Sequence, residues 1–553
     1  MNKIFKLKTL LPALLAVVFL AGCSLLDLDI NKNPNAPSVA APDLILTNIE
    51  TNVLSTFAGL EGDLESYNGF FGTSNYGLNA NSYSGTWNGL YTGPLKDIEG
   101  LIAASQASPH YLGIAQTLKA YTYSTMVDLW GDIPFTDASK GDASEKNTAA
   151  KFDKDVDVYN GCLALLDQAI ANFAKTTPAP VNGDLMYGGN AKLWSKFANT
   201  VKLKMLISAR LAMPDAGAKI KTILDGGNYI TAATEEFIFK FSKDPTSIRH
   251  PWYEGAYSGG EFRYTYMGNQ PIVEMLDEED PRFPFYYRRQ TKQVLNPADP
   301  ADAGTIPCAR LSNCIYGYLV LSPTVIKRLY TDKNKPYDQA AKDFLAGLLA
   351  RDRGDASGIP ADGALRALPG VYPAGGYYDV PAPALPAANK ATGGGIFPAM
   401  TTVNVDYYKI EAMLKLGYPG DPAAVLKNAI ESHIKKVVDF GVATDANSVK
   451  PAQAAIDKYV TLWVDRFNAS TTADGKLGIA LKQLWFSSYG NGFDFYNAYR
   501  RTGLPTTLQE HVTKTVRGYP LRFPYTQTEL TLNPNAAAYK DVAFDKTPIF
   551  WDK

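Results

Sequence analysis

The segment 128-DLWGDIPFTDA-138 decides how the chain is read. An apolar run ends on Trp130, Gly131 lets the backbone turn, and Pro134 prevents the helix from resuming. Trp130 and Phe135 flank the stop and can pack back against the helix they terminate. Upstream, Leu112 to Trp130 reads as that helix. Downstream, Val156, Tyr159, Leu163, Leu166, Ile170 and Phe173 recur at alternating three- and four-residue intervals, which marks one face of an amphipathic helix. Trp194, Phe197, Val201 and Met205 mark another. Shorter helices are expected near Leu44, Leu95 and Val325. In the second half the pattern predicts helices over Tyr407–Leu416, Ala423–Val438, Ala454–Phe467 and Leu477–Tyr489. Strand signals are few, and 235-EEFIFKF-241 is the best of them. The expectation is a mainly α fold of packed helix pairs, with Trp130 and Trp194 in its core. No regular repeat stands out.

Two stretches break this pattern. Residues 353–400 are rich in Gly, Pro and Ala, and Asp244 to Asn313 is similarly irregular. Long irregular segments in a compact protein are usually functional or disordered. Tyr372, Tyr377 and Tyr378 favour an ordered binding loop for the first.

At the N-terminus, Lys3, Lys6 and Lys8 precede an apolar run from Leu10 to Ala21. That run has the length of a secretory signal and is too short to span a bilayer, which takes ~20 apolar residues. Leu20, Ala21, Gly22 and Cys23 resemble the bacterial lipobox, which implies cleavage before Cys23 and acylation of it. Durable anchoring follows from two or three acyl chains rather than one. The expected organisation is a signal peptide over 1–22, a lipidated N-terminus and tether over 23–42, and one large domain over 43–553. The irregular insertions near 244–313 and 353–400 belong to that domain.

Composition narrows the function classes. The 553 residues carry a net charge of −1 without a basic run, so nothing points to nucleic acid. Cys162, in a periodic helix, reads as a buried small hydrophobe. Cys308 and Cys314, in 308-CARLSNC-314, are candidates for a disulfide outside the cytoplasm. Without a nearby histidine they make a poor zinc site. The four histidines show no metal-ligand spacing, and neither a G-x-S-x-G elbow nor a P-loop is present. The acidic run 276-LDEEDPR-282 reads as a solvated helix end. Binding is therefore favoured over catalysis, with no catalytic residue, cofactor or metal expected.

The 33 tyrosines, against 25 Phe and 7 Trp, suit surfaces that stack on amphipathic ligands. A glycan site pairs aromatic rings, for the C–H faces of sugars, with polar side chains for the hydroxyls. The stretch 79-NANSYSGTWNGLY-91 offers Tyr83 and Trp87 beside Asn81 and Asn88. The stretch 250-HPWYEGAYSGGEFRYTY-266 offers Trp252 and Tyr253 near Glu254 and Arg263. The Gly-rich loop adds Tyr377 and Tyr378. The competing readings are a core residue at a helix start for Trp87 and a loop anchor for Trp252.

Several segments together resemble the SusD/RagB family of surface nutrient-binding lipoproteins. They are the opening stretch 128–138, 151-KFDKDVDVYNGCLALLDQAI-170, 183-GDLMYGGNAKLWSKFANTVKLKMLISAR-210 and 277-DEEDPRFPFYY-287, followed by 498-AYRRTGLP-505, 521-LRFPYTQTEL-530 and 533-NPNAAAY-539. Two departures concern the subfamily. Asp406 stands where the family helix usually has its first Glu, while Glu411 is kept, and Phe523-Pro524-Tyr525 reverses the usual Tyr-Pro order. The resemblance implies helix pairs like tetratricopeptide units carrying an irregular ligand-binding subdomain. It also implies an outer-membrane location on the cell surface and a SusC-like TonB-dependent transporter as partner, covered by this protein as a lid. The implied ligand is an oligosaccharide. The alternatives are a peptide ligand or, from another class, a surface glycoside hydrolase.

Overall fold

The computed structural model describes residues 40–72, 78–141, 149–257, 266–290, 317–355, 366–381, 392–512 and 519–552. The expectations for Cys23 and for the pair Cys308 and Cys314 lie outside these residues. The first half builds α1 (Pro42–Asn68), α2 (Ser84–Thr92), α3 (Pro94–Ala104), α4 (Pro109–Trp130), α5 (Asp155–Phe173), α6 (Ala191–Ala209) and α7 (Ala216–Gly226). The second half adds α8 (Pro251–Tyr257), α9 (Asn269–Asp277), α10 (Phe283–Tyr286), α11 (Pro323–Leu329), α12 (Gln339–Ala346) and α13 (Thr402–Leu416). It finishes with α14 (Pro422–Thr444), α15 (Gln453–Ala469), α16 (Ala473–Ser487), α17 (Phe493–Thr502) and α18 (Gln527–Leu532). Sequential helices pack on one another, above all α4 with α5 and α13 with α14. The fold is mainly α, as expected, with Trp130, Trp194 and Cys162 fully buried.

Strands are short and serve as clasps. β1 (Phe71–Gly72) pairs with β5 (Tyr266–Met267), β2 (Ile133–Pro134) with β3 (Phe152–Asp153), and β6 (Tyr287–Arg288) with β7 (Leu368–Pro369). The expected strand forms as β4 (Phe237–Lys240) and pairs antiparallel with β8 (Ile396–Met400), matching Phe237 to Met400 and Lys240 to Ile396. This ladder ties the end of the Gly/Pro-rich segment to the first half.

At the opening segment, α4 stops as expected. Gly131 sits at φ +84°, and a Cβ there would stand 2.8 Å from the guanidinium of Arg522. Trp130 Nε1 donates to the Pro524 carbonyl (3.2 Å), and Arg522 Nη1 donates to the Trp130 carbonyl (3.0 Å). The Asp153 carboxylate accepts from the backbone N–H of Phe135 (3.0 Å) and Thr136 (2.8 Å), which holds the turn after Pro134. Asp128 is a buried acceptor for Tyr159 Oη (2.9 Å), Asn497 Nδ2 (2.7 Å) and Trp551 Nε1 (3.1 Å). Burial pushes its carboxyl up, against the pull of Lys204 and Arg500.

Two expectations change. The region 244–313 is less irregular than its composition suggests, since α8, α9 and α10 lie within it, all too short for periodicity to reveal. The run 276–282 is not a solvated helix end throughout. Glu279 pairs with Lys335 (2.7 Å) and Lys458 (2.6 Å) at the surface, but Asp280 and Arg282 are buried as a mutual ion pair (2.6 Å). Glu411, on α13, receives Arg501 through Nε (2.9 Å) and Nη2 (2.6 Å), and Arg210 through Nε (2.7 Å). Burial alone would raise its carboxyl, but the two guanidinium groups bring it below the usual value.

The apolar residues form two cores, one around α1–α7 with the C-terminal segment, the other around α8–α17. Buried carboxyls of α1 join them. Glu61 accepts from the Gly492 N–H (2.6 Å) and Glu65 from the Gly490 N–H (2.8 Å). Trp485 Nε1 donates to the Asn68 carbonyl (2.8 Å) beside them. Burial, only partly offset by the Gly492 N–H, pushes Glu61 from 4.5 up to about 8, and burial likewise raises Glu65. Between those values the folded chain keeps a proton that the unfolded chain has released, so stability falls as pH rises through the window. Thermal unfolding across that range should show this fall, and the double variant Glu61→Gln/Glu65→Gln should flatten it. An unchanged slope in the double variant would refute the assignment.

Candidate ligand-binding site

The expected site residues divide between core and surface. Tyr83 stacks on Phe523 at 3.9 Å between ring centroids and hydrogen-bonds to the Tyr67 hydroxyl. Trp87 packs edge-on against Trp130 at 5.3 Å, with Nε1 donating to Glu529 Oε1 (3.4 Å). Both lie in the first core, because Ser84–Thr92 forms a helix that lays them against the end of α4. They present no stacking face to a ligand.

Trp252, 1% exposed, sits between Phe71 (4.8 Å) and Tyr489 (5.1 Å) and belongs to the second core. It is the anchor of α8, not a ligand platform. Its neighbour Tyr253 is buried under Arg249, whose guanidinium lies 5.6 Å from the ring, and under Gly393. A Cβ on Gly393 would meet the Tyr253 ring at 2.7 Å, and its φ of +64° favours glycine. Tyr378 is also buried, against Phe285 at 4.9 Å, with its backbone N–H donating to Asp445 Oδ2 (2.8 Å).

From buried Tyr253 a run of three rings leads to the surface. Tyr253 stacks on Tyr257 (5.3 Å, interplanar angle 28°), and Tyr257 meets Tyr377 edge-on (5.4 Å). Tyr257 and Tyr377 are half-buried. The Arg288 guanidinium stands 5.8 Å from the Tyr377 ring, and its Nη1 donates to the Tyr378 carbonyl (3.0 Å). Tyr257 Oη donates to the Pro369 carbonyl (2.6 Å), and Arg289 holds the loop through Asp379 (2.8 Å). Burial raises the Tyr257 and Tyr253 phenols above their usual range, so both stay neutral.

The structure thus joins Tyr253 to Tyr377 across 124 positions of sequence, through a ring that sequence reasoning missed. Tyr257 was within reach: it follows Tyr253 by four residues, one helical turn on the same face. Half-buried rings with the Arg288 guanidinium beside them, and the Arg249–Glu254 pair by the adjoining Tyr253, suit a ligand with apolar C–H faces and many hydroxyls. Among the described residues, no group of His, Cys, Asp and Glu is placed to hold a metal ion, and no helix is long and apolar enough to cross a membrane.

Residues 34–304 match a family model, SusD-like_2, described as starch-binding associating with outer membrane. Among solved structures, the fold is similar to that of a chitin-binding protein (TM-score 0.66, 17% identity, covering 93% of this chain and 100% of that one). It is also similar to a SusD/RagB family protein from Bacteroides thetaiotaomicron VPI-5482 (TM-score 0.67, 18% identity, 93% and 99% covered). A SusD homolog from Bacteroides fragilis NCTC 9343 gives a TM-score of 0.64 at 16% identity, with 93% and 100% covered. No curated protein matches the sequence.

Proposed function

From the chain's membership of the SusD/RagB family, we propose that it is a surface lipoprotein that captures oligosaccharides and covers a SusC-like TonB-dependent transporter. In this reading residues 1–22 are removed, Cys23 is acylated, and the polar stretch to Pro42 tethers the helical body outside the outer membrane. The protein binds and delivers its ligand without covalent chemistry. The observation that carries the reading is the half-buried Tyr257–Tyr377 pair, with the Arg288 guanidinium beside it. Tyrosine edges and faces give a sugar ring its apolar contact, and the flanking polar groups meet its hydroxyls.

The test is a binding screen of the body from Ser24 onward against oligosaccharides and peptides. Tyr377→Ala should weaken the best glycan by about 1 kcal/mol, or roughly fivefold, while leaving the fold intact. Unchanged affinity in that variant, or binding of peptides alone, would overturn the proposal.

A further inference from the structure

A cavity of about 510 Å³ opens among α9, α15, α16 and the turn after α17. That is within the ~300–1,000 Å³ common for small-molecule sites. Trp463, Ile479, Phe486 and Leu504 give it apolar walls. Gly478, on α16, leaves a gap in one wall, where an added methyl would meet only Leu504 Cδ2, at 3.6 Å.

The charged groups around the cavity cancel. Lys482 pairs with Glu274, Arg466 with Glu278 (3.0 Å), Arg328 with Asp277 (2.6 Å), and Asp474 at the rim with Lys415. Glu274 is further held by Gln270 Nε2 (2.8 Å) and Tyr318 Oη (3.3 Å). The donors do not cancel. An ammonium carries three N–H groups, and among the described residues buried Lys482 meets one hydrogen-bond acceptor, Glu274, and otherwise faces the Trp485 ring (4.1 Å). The indole N–H of Trp463, a residue 5% exposed, has no hydrogen-bond partner among the described residues. Buried polar groups are ordinarily paired, yet both of these stand in the wall of the same cavity.

We propose that this cavity is a second binding site, separate from the tyrosine patch, for a small neutral carbohydrate. Unmatched donors call for a ligand rich in acceptors. Balanced ion pairs disfavour one with net charge, and the apolar walls call for a C–H face. A mono- or disaccharide meets all of these requirements. Thr506 and Thr507, exposed at the rim, add hydroxyls for the part that protrudes.

The experiment titrates the body from Ser24 onward with glucose, maltose and diacetylchitobiose, followed by tryptophan fluorescence and calorimetry. The parent should bind at least one of the three, with little dependence on salt, since no charge is transferred. Gly478→Leu, which fills the cavity, should abolish this binding. Trp463→Phe, which keeps a ring but removes the N–H, should weaken it about three- to tenfold, the effect of one hydrogen bond. Tyr377→Ala should leave it unchanged, so failure of the tyrosine-patch reading is scored separately. No binding by the parent, parental affinity in Trp463→Phe, or displacement of the sugar by acetate would overturn the proposal. Should Gly478→Leu fail to fold, Trp463→Phe decides.

Discussion

Arg282→Ala is expected to cost about 3–5 kcal/mol of stability, the penalty for stranding one member of a buried ion pair. The Arg282 side chain is fully enclosed. Its Nε and Nη2 reach the two oxygens of Asp280 (2.9 and 2.6 Å), and Nη2 also reaches Tyr459 Oη (2.9 Å) and Gln483 Oε1 (3.2 Å). Nη1 points at His433 Nδ1 (3.1 Å) and Ser487 Oγ (3.3 Å). Burial and the adjacent guanidinium hold the His433 imidazole neutral, so its ring nitrogen can accept. One side chain thereby links α14, α15 and α16 to the turn that ends α9. Arg282→Lys should restore little, because an ammonium cannot reproduce the planar fork. Lys435→Ala, which breaks the exposed pair with Asp439, should cost no more than about 1 kcal/mol. Guanidinium unfolding of the three variants checks this ordering, and a loss in Arg282→Ala no larger than in Lys435→Ala would refute it.

Trp252→Ala is expected to destabilise the protein by about 3–5 kcal/mol through the cavity it leaves, and to leave ligand affinity per folded molecule unchanged. Its ring is enclosed by Phe71, His250 and Tyr489, which belong to three separate segments. The pairing with Tyr377→Ala is informative because the two effects cross. One variant loses stability and keeps binding, and the other keeps stability and binds about fivefold more weakly. Calorimetric unfolding and glycan titration on the same preparations read both. A stable Trp252→Ala protein with weakened binding would return that tryptophan to the ligand face.

The helical scaffold was legible because its signal is local. The three-four spacing from Val156 to Phe173 becomes α5, and the stop at Gly131 and Pro134 ends α4 where expected. The short helices α8, α9 and α17 escaped, since fewer than three turns give periodicity little to show. The aromatic residues were legible as to type but not as to side. Tyr83, Trp87 and Trp252 sit in Asn- and Gly-rich surroundings that read as surface, and long-range partners bury them. Phe523 covers Tyr83 and Tyr489 covers Trp252, from more than 200 positions away. The acidic run at 276–282 misled for the same reason: Asp280 is matched by an arginine beside it, but the pair is enclosed by helices from the far end of the chain.

The C-terminal clasp on α4 has a consequence for the order in which the protein can take shape. Asp128 and Trp130 find later partners in Trp551, Arg522 and Pro524, separated from them by 392 to 423 positions. From the first half alone, Asp128 has the Tyr159 hydroxyl and Trp130 has the rings of Tyr83 and Trp87, while their remaining partners lie far along the chain. Contacts this distant in sequence form slowly, because a long loop must close before they can stabilise anything. The end of α4 therefore gains its full set of hydrogen bonds only once positions 522–551 have joined the fold.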